Sequence, residues 1–491
     1  MSVRAAPVSA VSPPGSAEGA RRAEISLWAF VAFVVLLTLA ATQRGISPPV
    51  VLGAAVIGLV IVAYQRYLLS WQTLLGAILV VILFIPIRRY TVAAGAPIEL
   101  EPYRVLIAVV LGCWFLALAA DPDVRWRKSG YGTPIAVLWL GILCSLAMNL
   151  GRVNGMSEMV LKQITFFGSY FLILCFVTSV VRRGVSLDRM LKILVGGGAI
   201  VAIAALYEWR SGINLFNGLG RFLPFLIYQD IGEAMVRGTG ARALGSAQHP
   251  IALGAALVML LPISIYLFKR TQQWIWLACG GLLTLGSLAT GSRTAAIMLV
   301  VVFAVFAWQK RAEMMRMLPV WLVLLVVIQG VMPGTLASFK FILNPAYMIQ
   351  EQSTEMGTGS GRIADVGPAL QEWGAGNPFF GQGFGTRVTS QDGVEGGAQI
   401  LDNQWLGTLL EIGAVGFIAL MWMFFRAIRR LARRARTTTG ADSWLATALC
   451  ASVLAWTLGL FTYDAFAFIQ VTFFAFVLLG FATVAVREDD A

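Results

Sequence analysis

"LDNQWLGTLLEIGAVGFIALMWMFFRAIRRLARRAR", residues 401–436, opens on polar side chains, continues almost free of charge to Phe425, and closes on six arginines. At about 1.5 Å per residue, some twenty apolar residues cross a hydrocarbon core of about 30 Å. The stretch therefore reads as a membrane span over 404–425 with a basic flank. The polar opening needs a cause, because a carboxylate in hydrocarbon is costly. Asp402 or Asn403 can cap the helix, which is worth about 0.5–2 kcal/mol. Capping does not account for Glu411. Positions 403, 407 and 411 step by four, so Asn403, Gly407 and Glu411 share one helix face. Glu411 then lies about 13 Å below Asp402. Such a polar stripe must face a neighbouring helix or a wet cavity.

The rest of the chain repeats the apolar theme. Of 491 residues, 58% are hydrophobic and 13% charged, and mean hydropathy is +0.77. A soluble protein carries about 25% charged residues. Runs such as "WAFVAFVVLLTLAA" at 28–41 do not alternate as barrel strands would, so helices are expected. Apolar runs fall near 25–42, 46–63, 68–86, 103–120, 133–150, 160–181, 190–208, 245–268, 272–290, 293–308, 316–333, 404–425, 443–462 and 465–484. The expected fold is all-α: a polytopic transmembrane bundle of about 12–14 spans with a long extracytoplasmic loop subdomain.

Lys and Arg set the expected orientation. With the N-terminus in the cytoplasm, most of the 37 basic residues, including those of 426–436, fall inside, as the positive-inside rule requires. The expected organisation is a disordered cytoplasmic tail (1–24), an N-terminal bundle (25–208), an extracytoplasmic loop (209–244) and central helices (245–333). A second extracytoplasmic loop (334–403), C-terminal helices (404–484) and a cytoplasmic tail (485–491) follow. The run at 28–41 reads as a retained span rather than a cleaved signal. The net charge of +12 is spread over short loops, so it points to a membrane surface and not to nucleic acid. Five cysteines lie inside apolar runs, with no CxxC pair and one histidine in the chain. A disulfide framework or a zinc site is not expected.

Polar residues of the expected outer face gather in four stretches. "RGTGARALGSAQHPIALG" (237–254) carries Arg237, Arg242 and His249, with Pro250 suited to a first helical turn. "ATGSRTAA" (289–296) delivers Arg293 at the start of a span. "GTGSGRIADVGPALQEWGAGNPFFGQGFGT" (357–386) places Arg362, Asp365 and Glu372 in a surface helix, and then a glycine-rich turn. That turn has neither the GxGxxG nor the GKS/T pattern of a nucleotide loop, so its glycines are expected to serve close backbone turns. The fourth stretch holds Asp402, Asn403 and Glu411. Each arginine has a plain reading as an interfacial anchor, and His249 reads more readily as a packing or hydrogen-bonding residue than as a base. Together, guanidinium forks without a metal cluster suit phosphate oxygens. A lipid-linked diphosphate fits that chemistry and the membrane setting.

In this order, with a long loop before the last motif, "RALGSAQHPIALG", "TGSRTAA", "GSGRIADVGPAL…NPFFGQGFGT" and "LDNQWLGTLLEIGAVGF" resemble the O-antigen ligase and polymerase superfamily of integral-membrane glycosyltransferases. The resemblance covers roughly residues 237–425. It implies a bacterial cytoplasmic (inner) membrane protein whose site faces outward. The reaction implied is transfer of a glycan from undecaprenyl diphosphate to a hydroxyl of an acceptor glycan or lipid. No cofactor, nucleotide sugar or divalent metal is implied. The family's diphosphate-binding arginines correspond to Arg293 and Arg242, then Arg362 and Arg237, with His249, Asn403 and Glu411 supporting and Asp402 and Arg293 catalytic. Family ligases begin the last motif with His-Asn, where this chain has Asp402. That departure favours a polysaccharide polymerase, with a ligase as the alternative. A flippase for lipid-linked oligosaccharide is the alternative of another class, but no repeat relates the two halves.

Overall fold

The computed structural model describes residues 70–92, 101–223, 225–229, 236–237, 240–331, 364–387 and 401–487. The spans expected at 25–42 and 46–63 lie outside these residues, as does Arg362. The chain divides into two compact units, residues 1–75 with 223–225, and residues 76–222 with 226–491. Only the start of the first helix and two isolated positions of the first unit are described. Among the described residues the second unit is all-α apart from short strand pairs.

The helices are α1 Trp71–Phe84, α2 Pro102–Ala120, α3 Gly132–Met148, α4 Leu150–Gly155, α5 Ser157–Val180 and α6 Val185–Ser211. Then come α7 Pro250–Thr271, α8 Ile275–Ala289, α9 Arg293–Gln309, α10 Arg311–Arg316 and α11 Leu318–Val331. The last are α12 Val366–Ala375, α13 Gln404–Thr437, α14 Gly440–Gly459 and α15 Ile469–Val486. Seven described helices are long and apolar enough to cross a membrane, and five shorter apolar ones accompany them. The runs near 293 and 465 form separate helices rather than merging with their neighbours. Two small antiparallel ribbons complete the fold: β1 Tyr90–Val92 pairs with β2 Leu226–Tyr228, and β3 Val236–Arg237 pairs with β4 Gly240–Ala241.

Helix α7 sits at the centre, apolar all round its membrane-length window and wholly buried, packed by α6, α8, α9, α14 and α15. α15 is nearly as enclosed. A helix that is apolar on every face belongs in such a position. Two ends of the bundle are distinguished by their polar contacts. At one end basic residues are paired or stacked: Arg183 with Asp442, Lys269 with Glu313 at 3.1 Å, and Lys269 and Lys310 over Trp444. The other end carries the polar stretches singled out above.

Helix α13 is not continuous. Gly413 has φ 71° and ψ −169° inside it, a region that only glycine occupies without strain. The amides freed by this break are taken by the segment before the helix. Ala414 N–H donates to Pro378 O at 2.9 Å and Val415 N–H to Phe379 O at 3.2 Å. Gln382 N–H in turn donates to Leu410 O at 2.9 Å. "NPFFGQGFG" is thus an external splint on a broken membrane helix, with Gly381, Gly383 and Gly385 all at positive φ. The glycines serve close turns, as their spacing suggests.

Candidate active site

The site is built around the connection between α14 and α15, residues 460–468. Three of the four polar stretches dock on it. Gln404 N–H donates to Leu460 O at 2.9 Å and its Oε1 accepts from Phe466 N–H at 2.7 Å. The Thr462 and Thr294 hydroxyls share a hydrogen bond of 2.9 Å, beside Arg293. Gln248 Oε1 accepts from Ile469 N–H at 3.0 Å, and the His249 ring lies 5.3 Å from that of Phe468. Segments more than 200 positions apart in the chain thereby meet on one loop.

The two arginines converge at the turn before α9. Ser292 caps α9, accepting from Ala295 N–H, and Arg293 is the first helical residue. Arg242 Nε donates to Thr290 O at 3.0 Å, so its side chain lies over Gly291 of the same turn. The turn approaches α7 at Gly254, where a Cβ would press on Thr290 and Ala295. A guanidinium at a helix N-terminus works against the helix dipole by about 0.3–1 kcal/mol. The same arrangement concentrates positive potential where backbone amides already favour an anion.

The loop between Arg242 and His249 is gripped by polar side chains from several elements. Glu208, buried near the end of α6, accepts from Leu244 N–H at 3.1 Å and Gly245 N–H at 2.7 Å. Asn214 Nδ2 donates to Glu208 at 2.9 Å and to Gly245 O at 3.0 Å. Gln470 Nε2 reaches Ser246 Oγ at 3.3 Å, and Arg89 Nη2 donates to Ala247 O at 3.2 Å. Such a cradle holds the loop's backbone in one geometry. His249 caps α7: its Nδ1 accepts from Ile251 N–H at 3.1 Å, so the neutral ring carries its hydrogen on Nε2. Arg237 lies in strand β3, paired with Gly240.

The acidic side of the site is at the start of α13. Asn403 is its cap, accepting from Trp405 and Leu406 N–H at 3.0 and 3.2 Å. The capping role therefore does not fall to Asp402, which stands one residue earlier and half-buried. Its electrostatic partner is Asp464, a residue the sequence reading passed over. Asp464 is exposed to water, with part of its carboxyl's hydration displaced by the loop around it. Burial, then the charge of Asp402, push it up from the usual carboxylate range to about 6, and the Ala467 amide, Arg387 and Arg88 act against that rise. Glu411 lies deeper, half-buried, within the field of Asp464, Arg387 and Arg152, and accepts from Gly385 N–H.

Arg387 and Arg152 are two further cations that sequence reasoning missed. Arg152 donates to Gln382 Oε1 at 3.1 Å and Thr386 O at 3.3 Å. Arg387 has a side chain 9% exposed, stands 4.0 Å from Glu372, and has no hydrogen-bond partner for its Nε. Burial pulls its guanidinium down from the ordinary range, and Glu372, Glu411 and Asp464 oppose that. Glu372 sits on α12 as expected, and Asp365 is buried at its start. "TYDAF" at 462–466, an aspartate in a short hairpin between two apolar runs, was the available signal for Asp464.

With this geometry in place, the family comparison has a clear location. Residues 278–421 match the family model for O-antigen ligase. The match takes in Arg293, the splint and α13 past its break, under a third of the chain. Arg242, His249 and Asp464 lie outside it. No curated protein matches the chain. The molecule is a multi-helix membrane protein, one region of which matches the O-antigen ligase family model.

Proposed function

We propose that the chain is a membrane glycosyltransferase that moves a glycan from a polyprenyl diphosphate, undecaprenyl diphosphate in a bacterial membrane, to an acceptor hydroxyl. The acceptor is a further lipid-linked repeat, so the reaction is polymerisation of cell-surface polysaccharide outside the cytoplasmic membrane. One observation carries this reading: the turn that ends in Arg293 and carries the Arg242 side chain over it, and the carboxylates Asp402 and Asp464, meet on the 460–468 loop. An anion site and a proton acceptor at one membrane edge are what glycan transfer from a diphosphate requires.

In this mechanism the acceptor oxygen attacks the anomeric carbon while its proton passes to the Asp402–Asp464 pair. The bond from the anomeric carbon to the diphosphate breaks, and the electron pair stays with the diphosphate. Arg293 and Arg242 donate to the oxygens on which that charge develops, a term that is commonly the largest in such catalysis. Two adjacent carboxylates hold a proton more readily than either alone, so their titration belongs to the pair. Glu411 and Arg387 line the deeper wall and position the sugars.

The acid limb of kcat/KM should accordingly fall as pH drops through about 6, where the pair takes up its proton and can no longer accept one. Asp464→Asn should remove that limb, leaving a profile flat to a lower pH. An unchanged midpoint in this variant would show that another group sets it.

The reading itself is tested by reconstituting the purified chain with a defined lipid-linked repeat. A ladder of products longer than one repeat is expected. Single transfer to a different lipid would convert the assignment to ligase. Movement of the lipid across the bilayer with no new glycosidic bond would replace it with transport.

A further inference from the structure

Two arginines stand side by side at 88 and 89, and the fold treats them in opposite ways. Arg89 is 3% exposed and its guanidinium is a structural tie, donating to Asn217 Oδ1 at 3.1 Å and Ala247 O at 3.2 Å. Ile87 on the other side is 2% exposed. Between them Arg88 is exposed, and its backbone is left-handed, with φ 67°. Among the described residues the only other non-glycine at positive φ is Gln272, which ends helix α7 in an ordinary way. The turn cannot relax easily. Tyr90 pairs with Tyr228 in the ribbon, its hydroxyl donates to Phe216 O at 2.7 Å, and Gln229 N–H donates to Arg89 O at 2.8 Å. Among the described residues Arg88 has no ion pair or hydrogen bond, yet its charge is felt at Asp464 and at Tyr170. A side chain of arginine in this backbone conformation costs free energy that glycine would avoid. Strain of this kind persists where the surroundings over-determine it, and it concentrates at functional positions.

We infer that Arg88 is a further substrate-binding residue of the site, whose guanidinium engages phosphate oxygens of the lipid-linked substrate. The inference rests on the glycosyltransferase reading above, and it assigns a binding role to a turn between α1 and α2 that lies outside the family match. The decisive variant is Arg88→Gly, which removes the charge and releases the backbone strain together. A residue kept for structure would leave a less stable protein when lost. A residue kept for binding leaves a protein as stable or more stable that holds its anion less well.

The full chain in nanodiscs should therefore be titrated with inorganic pyrophosphate, alongside Arg88→Gly, Arg88→Lys and Arg293→Ala. Wild type is expected to bind. Arg88→Gly should bind about 10-fold more weakly, the loss expected for one charge-assisted contact, with an unchanged or raised melting temperature. Arg88→Lys should fall between them, since a point charge replaces the fork. If Arg88→Gly binds as wild type while Arg293→Ala does not, Arg88 is no ligand and the glycosyltransferase reading stands. If Arg88→Gly binds weakly only because it melts earlier, the role is structural and the inference fails. If wild type itself binds no pyrophosphate, the inference falls, while the glycosyltransferase reading is decided separately by transfer from the lipid-linked repeat.

Discussion

Arg293→Ala should lower glycan transfer by about 10²–10³-fold, the usual effect of deleting one donor aimed at a developing anion, while the protein remains inserted and folded. The dissociation between activity and stability is the point. The first position of a helix is a poor place for a cation, by about 0.3–1 kcal/mol, so α9 gives no reason of its own for an arginine there. Arg293→Lys should restore part of the rate, because an ammonium keeps the charge but loses the two parallel donors. The measurement is transfer from a lipid-linked repeat by membranes carrying equal amounts of each variant. Normal polymer from Arg293→Ala would remove the diphosphate clamp from the mechanism.

Gly413→Ala should be the most damaging single methyl in the described structure. At φ 71° and ψ −169° the backbone is closed to alanine, and the added carbon would overlap the carbonyl of Phe379 and the amide of Phe380. Relief requires the splint to leave α13, which strands the Ala414 and Val415 amides that Pro378 and Phe379 now satisfy. Strain at such a site costs about 1–3 kcal/mol, and each stranded group adds about 1–3 kcal/mol. Thermal unfolding in detergent and proteolysis near residue 380 should both report the loss. Gly407→Ala is the control: it sits on the same helix with nothing closer than Gln404 Nε2 at 3.9 Å, and should be tolerated.

The fold was legible because its dominant signal is solvent transfer, which is additive along a run of residues. The described helices that cross the bundle follow the apolar runs of the sequence, except that α13 continues through the basic flank to Thr437, twelve residues past the run expected at 404–425. The break at Gly413 was not legible, since "EIGAVGF" has the composition of an uninterrupted span and its strain becomes sensible only once Pro378 and Phe379 are seen to supply acceptors. In the candidate site, Arg242, Arg293, His249 and Asn403 stand in polar stretches that border apolar runs, and that contrast is visible in the sequence. Asn403 rather than Asp402 proved to be the cap, a distinction of one residue that only the backbone at the helix start could make. Asp464, Arg387, Arg152 and Arg88 could not be found that way. The first three are lone charges in their own stretches and Arg88 is one of an adjacent pair, and each gains meaning from neighbours far off in sequence. Glu208 is similar: at the end of an apolar run it looked like a span terminus, but its carboxylate organises the Arg242–His249 loop.

The seating of the 460–468 loop has a consequence for biogenesis. Gln248 waits for the amide of Ile469, Thr294 for Thr462, and the carbonyl of Ile82 for Gln470. During synthesis the arginine turn therefore emerges and enters the bilayer long before the partners that fix it exist. A nascent chain stalled anywhere before its final hairpin carries the cations without the completed floor beneath them. The seat beneath the arginine turn is complete only when the last helix is in place.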